Sequence, residues 1–200
     1  APGETPGVLL AHGAGNDMDS PFMTHVHRAL AGRGLLAARF NFLYTEAGRK
    51  APDRAPRLEQ TWRAVAAWLR GHPQYRPGAL FAGGKSMGGR MASHLAAAGE
   101  PFAGLVFLGY PLHPPRQPEK LRDAHLADIP VPMLFVQGTR DPLCRMDLLD
   151  AALARVSAPV EVHAIEGGDH SFKLPKRAGR PPEAVLDEVA DVVSAWVTRQ

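Results

Sequence analysis

Residues 79–89 read ALFAGGKSMGG, an apolar run that passes without a break into glycine, lysine, serine, methionine and glycine again. Within it, Gly84-Lys85-Ser86-Met87-Gly88 fits the pattern G-x-S-x-G. Residues 79–83 predict a buried strand, and residues 87–98 predict a helix with Met87, Met91 and Leu95 on one face. A serine on the turn between them is held at strained backbone angles, so its neighbours must be small. It also stands at a helix N-terminus, where the dipole and free N–H groups favour developing negative charge. The competing reading is a phosphate-binding loop, because residues 84–86 read Gly-Lys-Ser. That loop needs its first glycine at position 79, which is Ala79; Gly78 comes one residue too early. Leu80-Phe81-Ala82 is strand-like where a phosphate cradle needs loop backbone, so the nucleoside-triphosphatase reading fails.

Working outward, short apolar runs alternate with amphipathic stretches. Residues 7–12, 35–40, 104–109, 132–137 and 160–165 predict five more strands. A helix is expected from Ser20, with Ser20 as its N-cap and Pro21 in its first position. Further helices are expected at 57–70, a short one near 117–127, at 146–155 and after Pro181-Pro182. This alternation predicts an α/β chain, a three-layer α/β/α sandwich on a mostly parallel sheet of about six strands. No linker or repeat divides residues 1–200, so a single domain is expected.

The bulk numbers narrow the function classes. A net charge of +3 is too mild for a nucleic-acid-binding face, although the calculated pI is 9.3. No apolar run approaches the ~20 residues of a membrane span. Cys144 is the single cysteine, so an intrachain disulfide framework is impossible and a cytoplasmic location is expected. The sequence opens at Ala1 without methionine, which leaves room for a removed leader. Thr24-His25-Val26-His27 and Asp17-Met18-Asp19 resemble metal-ligand pairs but lack partners at a recognised spacing, so no metal and no cofactor are expected.

In an open α/β sheet, ligands bind beyond the carboxyl ends of the strands. The strand at 132–137 ends in Gly138-Thr139-Arg140-Asp141, and the strand at 160–165 ends in Glu166-Gly167-Gly168-Asp169-His170. The chemistry that needs these residues is nucleophilic catalysis. A serine hydroxyl is a weak nucleophile, an imidazole must take its proton, and a carboxylate must hold the imidazole tautomer. The chain order Ser86, Asp141, His170 fits that division of labour. Asp169 competes for the acid's role but lies beside the base in sequence, poorly placed to meet its ring nitrogen. The first strand runs into His12-Gly13-Ala14-Gly15, whose backbone can turn N–H groups toward the serine. An oxyanion hole is expected from the N–H of Met87 with that of Ala14, or less favourably Gly15.

Several stretches together resemble the small hydrolases related to dienelactone hydrolase, within the α/β-hydrolase superfamily. They are AHGAGNDMDSPFM (11–23), RFNFLY (39–44), EAGRKAPD (46–53), GGKSMGGRMAS (83–93), GYPLHPP (109–115), LRDAHL (121–126), FVQGTRDPL (135–143) and GGDHSF (167–172). The nearest resemblance is to a bacterial branch whose animal relatives include a testis-expressed hydrolase-like protein and a subunit of the NSL chromatin complex. The resemblance implies a Ser–Asp–His triad at Ser86, Asp141 and His170. Leu43 departs from it, standing where relatives often carry proline, and one or two N-terminal strands of larger members are lacking.

Larger relatives insert a helical cap between the strands at 104–109 and 132–137. Here about twenty residues intervene, so a lidless cleft is expected. His12, Lys85, Tyr110 and His113 follow or close strands and are candidate substrate contacts, His12 being assigned first to shaping the loop after its strand and Tyr110 reading equally as a packing residue. Lys85, Arg39 and the basic stretch Lys173, Lys176, Arg177 and Arg180 could attract an acidic acyl substrate. The expected activity is hydrolysis of a carboxylic ester or thioester of a small molecule by a monomer or homodimer. Acyl transfer, peptide hydrolysis or a non-catalytic scaffold are the alternatives, the last because the chromatin relative acts as a subunit.

Overall fold

The structure is a computed structural model and describes residues 3–200. Its centre is one six-stranded sheet, with β1 at Gly7–Ala11, β2 at Leu36–Phe40, β3 at Leu80–Lys85, β4 at Gly104–Leu108, β5 at Met133–Gly138 and β6 at Val160–Ile165. The order is β2-β1-β3-β4-β5-β6 and every pairing is parallel. The helices are α1 at Pro21–Gly32, α2 at Leu43–Glu46, α3 at Ala55–Gly71, α4 at Met87–Ala97, α5 at Met146–Leu153 and α6 at Pro182–Arg199.

The strands are apolar throughout because both faces are covered. In β1, Val8 and Leu10 join Met23, Val26 and Leu30 of α1 and Val189, Val193 and Trp196 of α6 on one face. Leu9 and Ala11 turn the other way, toward Trp62 and Leu69 of α3, Met91 and Leu95 of α4, and Leu149 of α5. The helical spacing of these residues is what seats each helix. β6 is the exception: it is an edge strand, and its Glu161 and His163 are paired with Arg199 and Glu188 of α6. Charges on an edge discourage pairing with another chain.

Two expectations change. The short helix near 117–127 is a 3₁₀ turn confined to Ala124–Asp128. Ser20 does precede α1 with Pro21 in the first turn, but its hydroxyl makes no cap bond and is buried without a partner. The extended backbone of Ser20 and the fixed φ of Pro21 start the helix instead. The short α2 was not predicted. Among the described residues no helix is long and apolar enough to cross a membrane.

Because β2 and β3 lie on opposite sides of β1, the chain changes direction between β1 and β3. The carboxyl ends of those two strands therefore border a crevice, where a ligand site is expected.

Candidate active site

β3 runs two residues further than its apolar pattern suggests, to Lys85, so the whole bend falls on Ser86. Ser86 has φ 52° and ψ −116°, a left-handed geometry that costs a non-glycine residue about 1–3 kcal/mol. Its backbone is fixed from both sides. Its N–H still donates to the Leu108 carbonyl of β4, and its carbonyl already accepts from the Arg90 N–H of α4. The turn closes only because Gly84 and Gly88 bring bare backbone against β1. A Cβ on either would lie 2.1–2.2 Å from the Ala11 carbonyl oxygen.

Ser86 Oγ donates to His170 Nε2 at 2.8 Å, and His170 Nδ1 donates to Asp141 Oδ2 at 2.6 Å. The three residues thus form one hydrogen-bonded chain across β3, β5 and the loop after β6. The carboxylate is fully buried and the imidazole 22% exposed. Asp141 is held by two further donors: the Leu143 N–H on Oδ1 at 2.8 Å and Gln137 Nε2 on Oδ2 at 2.6 Å. Gln137 is itself fixed, since its Oε1 accepts from the Tyr110 N–H at 2.8 Å. Sequence reasoning missed Gln137. The available signal is a lone amide near the end of the strand MLFVQG, where burial demands a partner. Asp169 serves the loop instead: its Oδ1 accepts from the N–H groups of Ser171 and Lys173.

The expected oxyanion donors lie at the same place. Met87 opens α4, and Ala14 lines one cleft of about 420 Å³ together with Ser86 and Met87. A Cβ on Gly13 would sit 3.5 Å from Ser86 Cβ, so the loop after β1 packs directly against the serine. Gly15 is exposed and adopts φ 72°.

The side chains of the four candidate substrate contacts are all buried. His12 is fully buried; its Nδ1 donates to the Gly13 carbonyl and its Nε2 accepts from the Phe42 N–H. It braces the loop, the role its place after β1 suggested. Tyr110 is buried with its hydroxyl donating to the Arg122 carbonyl. His113 is buried between the Pro114 carbonyl and the Arg145 N–H. Lys85 is buried with its ammonium 5.8 Å from the Phe22 ring centroid and beside the His170 loop, a Cβ on Gly109 lying 3.1 Å from its Nζ and 3.5 Å from His170 Nδ1. Position after a strand did not reveal which way each side chain faces. Of the basic residues, Arg39 is tied to Thr24, Asp19 and the Met18 carbonyl, and Arg180 to Glu188.

Lys85 carries an unsatisfied charge. Its Nζ is buried with no hydrogen-bond partner. Burial lowers its pKa to about 8, although Asp141 and Asp169 pull the other way. The unfolded chain then holds this proton more tightly than the folded one between about pH 8 and 10.5, so stability from this site rises with pH across that window. Below pH 8 the buried charge costs up to about 3 kcal/mol. Lys85→Met is therefore expected to be more stable than wild type at pH 7, with the difference shrinking toward pH 10. Urea unfolding at several pH values measures this; equal stability at pH 7 would sink it. Cys144 is inert by the same physics, its thiol pushed up to about 12 by burial. Among the described residues no His, Cys, Asp and Glu side chains cluster as metal ligands.

The profile of a family described as an alpha/beta hydrolase domain matches residues 4–198. Among solved structures, an alpha-beta serine hydrolase homologue from Coxiella burnetii is similar at 21% identity and TM-score 0.73, over 96% of this chain and 84% of that one. A dienelactone hydrolase from Anabaena variabilis is similar at 23% identity and TM-score 0.74, over 98% and 87%. A Xanthomonas campestris protein described as an a/b serine hydrolase without lid is similar at 21% identity and TM-score 0.72, over 98% and 81%. At these identities the structural likeness carries the fold alone.

Proposed function

The chain belongs to the alpha/beta hydrolase domain family, and from that premise we propose that it is a serine hydrolase cleaving carboxylic esters or thioesters of small molecules through an acyl-enzyme on Ser86. The observation that carries this reading is the unbroken chain from Ser86 Oγ through His170 to Asp141, at 2.8 and 2.6 Å.

The turn acts as a nucleophile elbow. Ser86 Oγ bonds to the substrate carbonyl carbon while its proton passes to His170 Nε2. Asp141 stabilises the imidazolium that forms and keeps Nδ1 protonated. Negative charge on the carbonyl oxygen is met by the N–H groups of Met87 and Ala14; one such donor is typically worth about 2.7–4 kcal/mol of barrier. The tetrahedral adduct collapses, the carbon–leaving-group bond breaks, and the leaving group takes the proton from Nε2. Water then attacks the acyl-enzyme, giving its proton to Nε2, and the acid departs as Ser86 recovers its proton. The open cleft suits short or exposed acyl groups.

The test is covalent labelling. A fluorophosphonate probe is expected to modify Ser86 in wild type, located by peptide mass spectrometry, and to leave folded Ser86→Ala unlabelled. A panel of para-nitrophenyl esters and acyl-CoA thioesters then separates ester from thioester preference. Folded wild type that neither labels nor turns over any of them would make the chain a non-catalytic binding or scaffold protein.

A further inference from the structure

Two arginines line the cleft beside Ser86 and have no part in the steps above. Arg90 stands four residues after Ser86 on α4, about 6 Å along the helix axis. Arg122 reaches the same cleft from the segment between β4 and β5. Among the described residues neither makes an ion pair, and the Arg122 side chain makes no hydrogen bond. Arg90 has one side-chain contact, its Nη1 lying 3.3 Å from His94 Nε2, while its Nε is buried without a partner.

The carboxylate that lines this cleft, Asp53, pairs with neither arginine. His94 stacks on His125 with ring centroids 3.9 Å apart. Burial, then neighbouring cations, lowers the proton affinity of both rings, so each is biased toward its neutral form. Tyr110 is likewise biased neutral, because burial raises its pKa. The nearby carboxylates are engaged elsewhere. Asp53 is ion-paired with Arg49 at 2.8 Å and Arg57 at 3.5 Å, its buried Oδ2 making no hydrogen bond. Asp123 pairs with Arg155, and Glu59 lies 3.9 Å from Arg63. Two guanidinium groups thus share a part-buried hollow and repel each other. An anion placed between them would relieve that repulsion. A planar guanidinium fork matches a carboxylate in two parallel bonds.

We infer that Arg90 and Arg122 form a carboxylate subsite, and that the substrate is a half-ester or half-thioester of a short dicarboxylic acid. Its scissile carbonyl meets Ser86 and its free carboxylate lies on the two arginines. The assignment of the scissile carbonyl rests on the hydrolase reading above; the anion subsite does not. One helical turn between Ser86 and Arg90 sets the spacer at a few carbon atoms.

The experiment compares para-nitrophenyl hemiglutarate with para-nitrophenyl pentanoate, of equal chain length, and titrates glutarate and inorganic phosphate by calorimetry. Wild type is expected to favour the hemiglutarate in kcat/KM. In Arg122→Gln that preference and the glutarate affinity are each expected to fall at least about tenfold, as for a lost charge-assisted hydrogen bond. Arg122→Lys restores part of both, and Arg90→Gln repeats the loss. An unchanged preference in Arg122→Gln overturns the subsite, and so does binding of phosphate without glutarate. If both esters are inert while glutarate still binds through Arg122, the subsite stands and the hydrolase reading falls.

Discussion

Replacing His170 by Ala is expected to lower kcat by about 10³-fold or more, and adding Ser86→Ala to that variant is expected to cost little further. The reason is that the three groups act as one unit. Without the imidazole, the Ser86 proton has no acceptor, so the hydroxyl contributes almost nothing that its own removal could take away. Asp141→Asn tests the other end. Oδ2 accepts from both Gln137 and His170, while Oδ1 accepts from the Leu143 N–H. An asparagine amide satisfies one side only by turning its NH₂ group toward donors on the other. With the NH₂ facing Nδ1, the ring must carry its proton on Nε2, where it cannot accept from serine. A loss of about 10⁴-fold is expected from that wrong tautomer. Pre-steady-state and steady-state rates on the best para-nitrophenyl ester measure all of these. Retention of most activity in His170→Ala, or simple multiplication of the two single losses in the double variant, would remove the unit from the mechanism.

The sequence made these residues findable because each obeys a rule that position alone expresses. Ser86 sits between an apolar run and a helical repeat, and Asp141 and His170 follow strands in the right order. The continuous apolar strands announced a sheet covered on both faces, which is what the two cores around β1 deliver. What was illegible depends on facing. Tyr110 and His113 also follow strands, yet each turns inward and bonds to backbone groups. Lys85, the last residue of β3, buries its ammonium near Phe22 rather than opening to solvent. Arg90 could have been found, since residues four apart share a helix face. Arg122 lies in an irregular segment where no periodicity exists to place it. Narrower kinship than the family itself rests on motif resemblance alone.

The same substitution should have opposite signs at two glycines. Gly88→Ala is expected to destabilise the protein by about 3 kcal/mol or more, because overpacking of backbone on backbone leaves nothing to rotate aside. The new Cβ would lie 2.2 Å from the Ala11 carbonyl oxygen and 2.7 Å from that of His12. β1 cannot yield, being paired on both sides by β2 and β3. α4 must therefore lift, and with it the Met87 N–H and the Ser86 turn, so kcat should fall with stability. Gly32→Ala, at the exposed end of α1, meets nothing within 4 Å. There alanine reduces the entropy of the unfolded chain and is expected to stabilise by about 0.5–1 kcal/mol. For a chain of this size those energies correspond to a melting temperature about 10 °C lower for Gly88→Ala and about 2 °C higher for Gly32→Ala. Thermal unfolding followed by circular dichroism decides the point. A Gly88→Ala variant that melts with wild type would show that α4 is not seated on β1 as described. A destabilised variant with full kcat would show that the elbow does not depend on that seat.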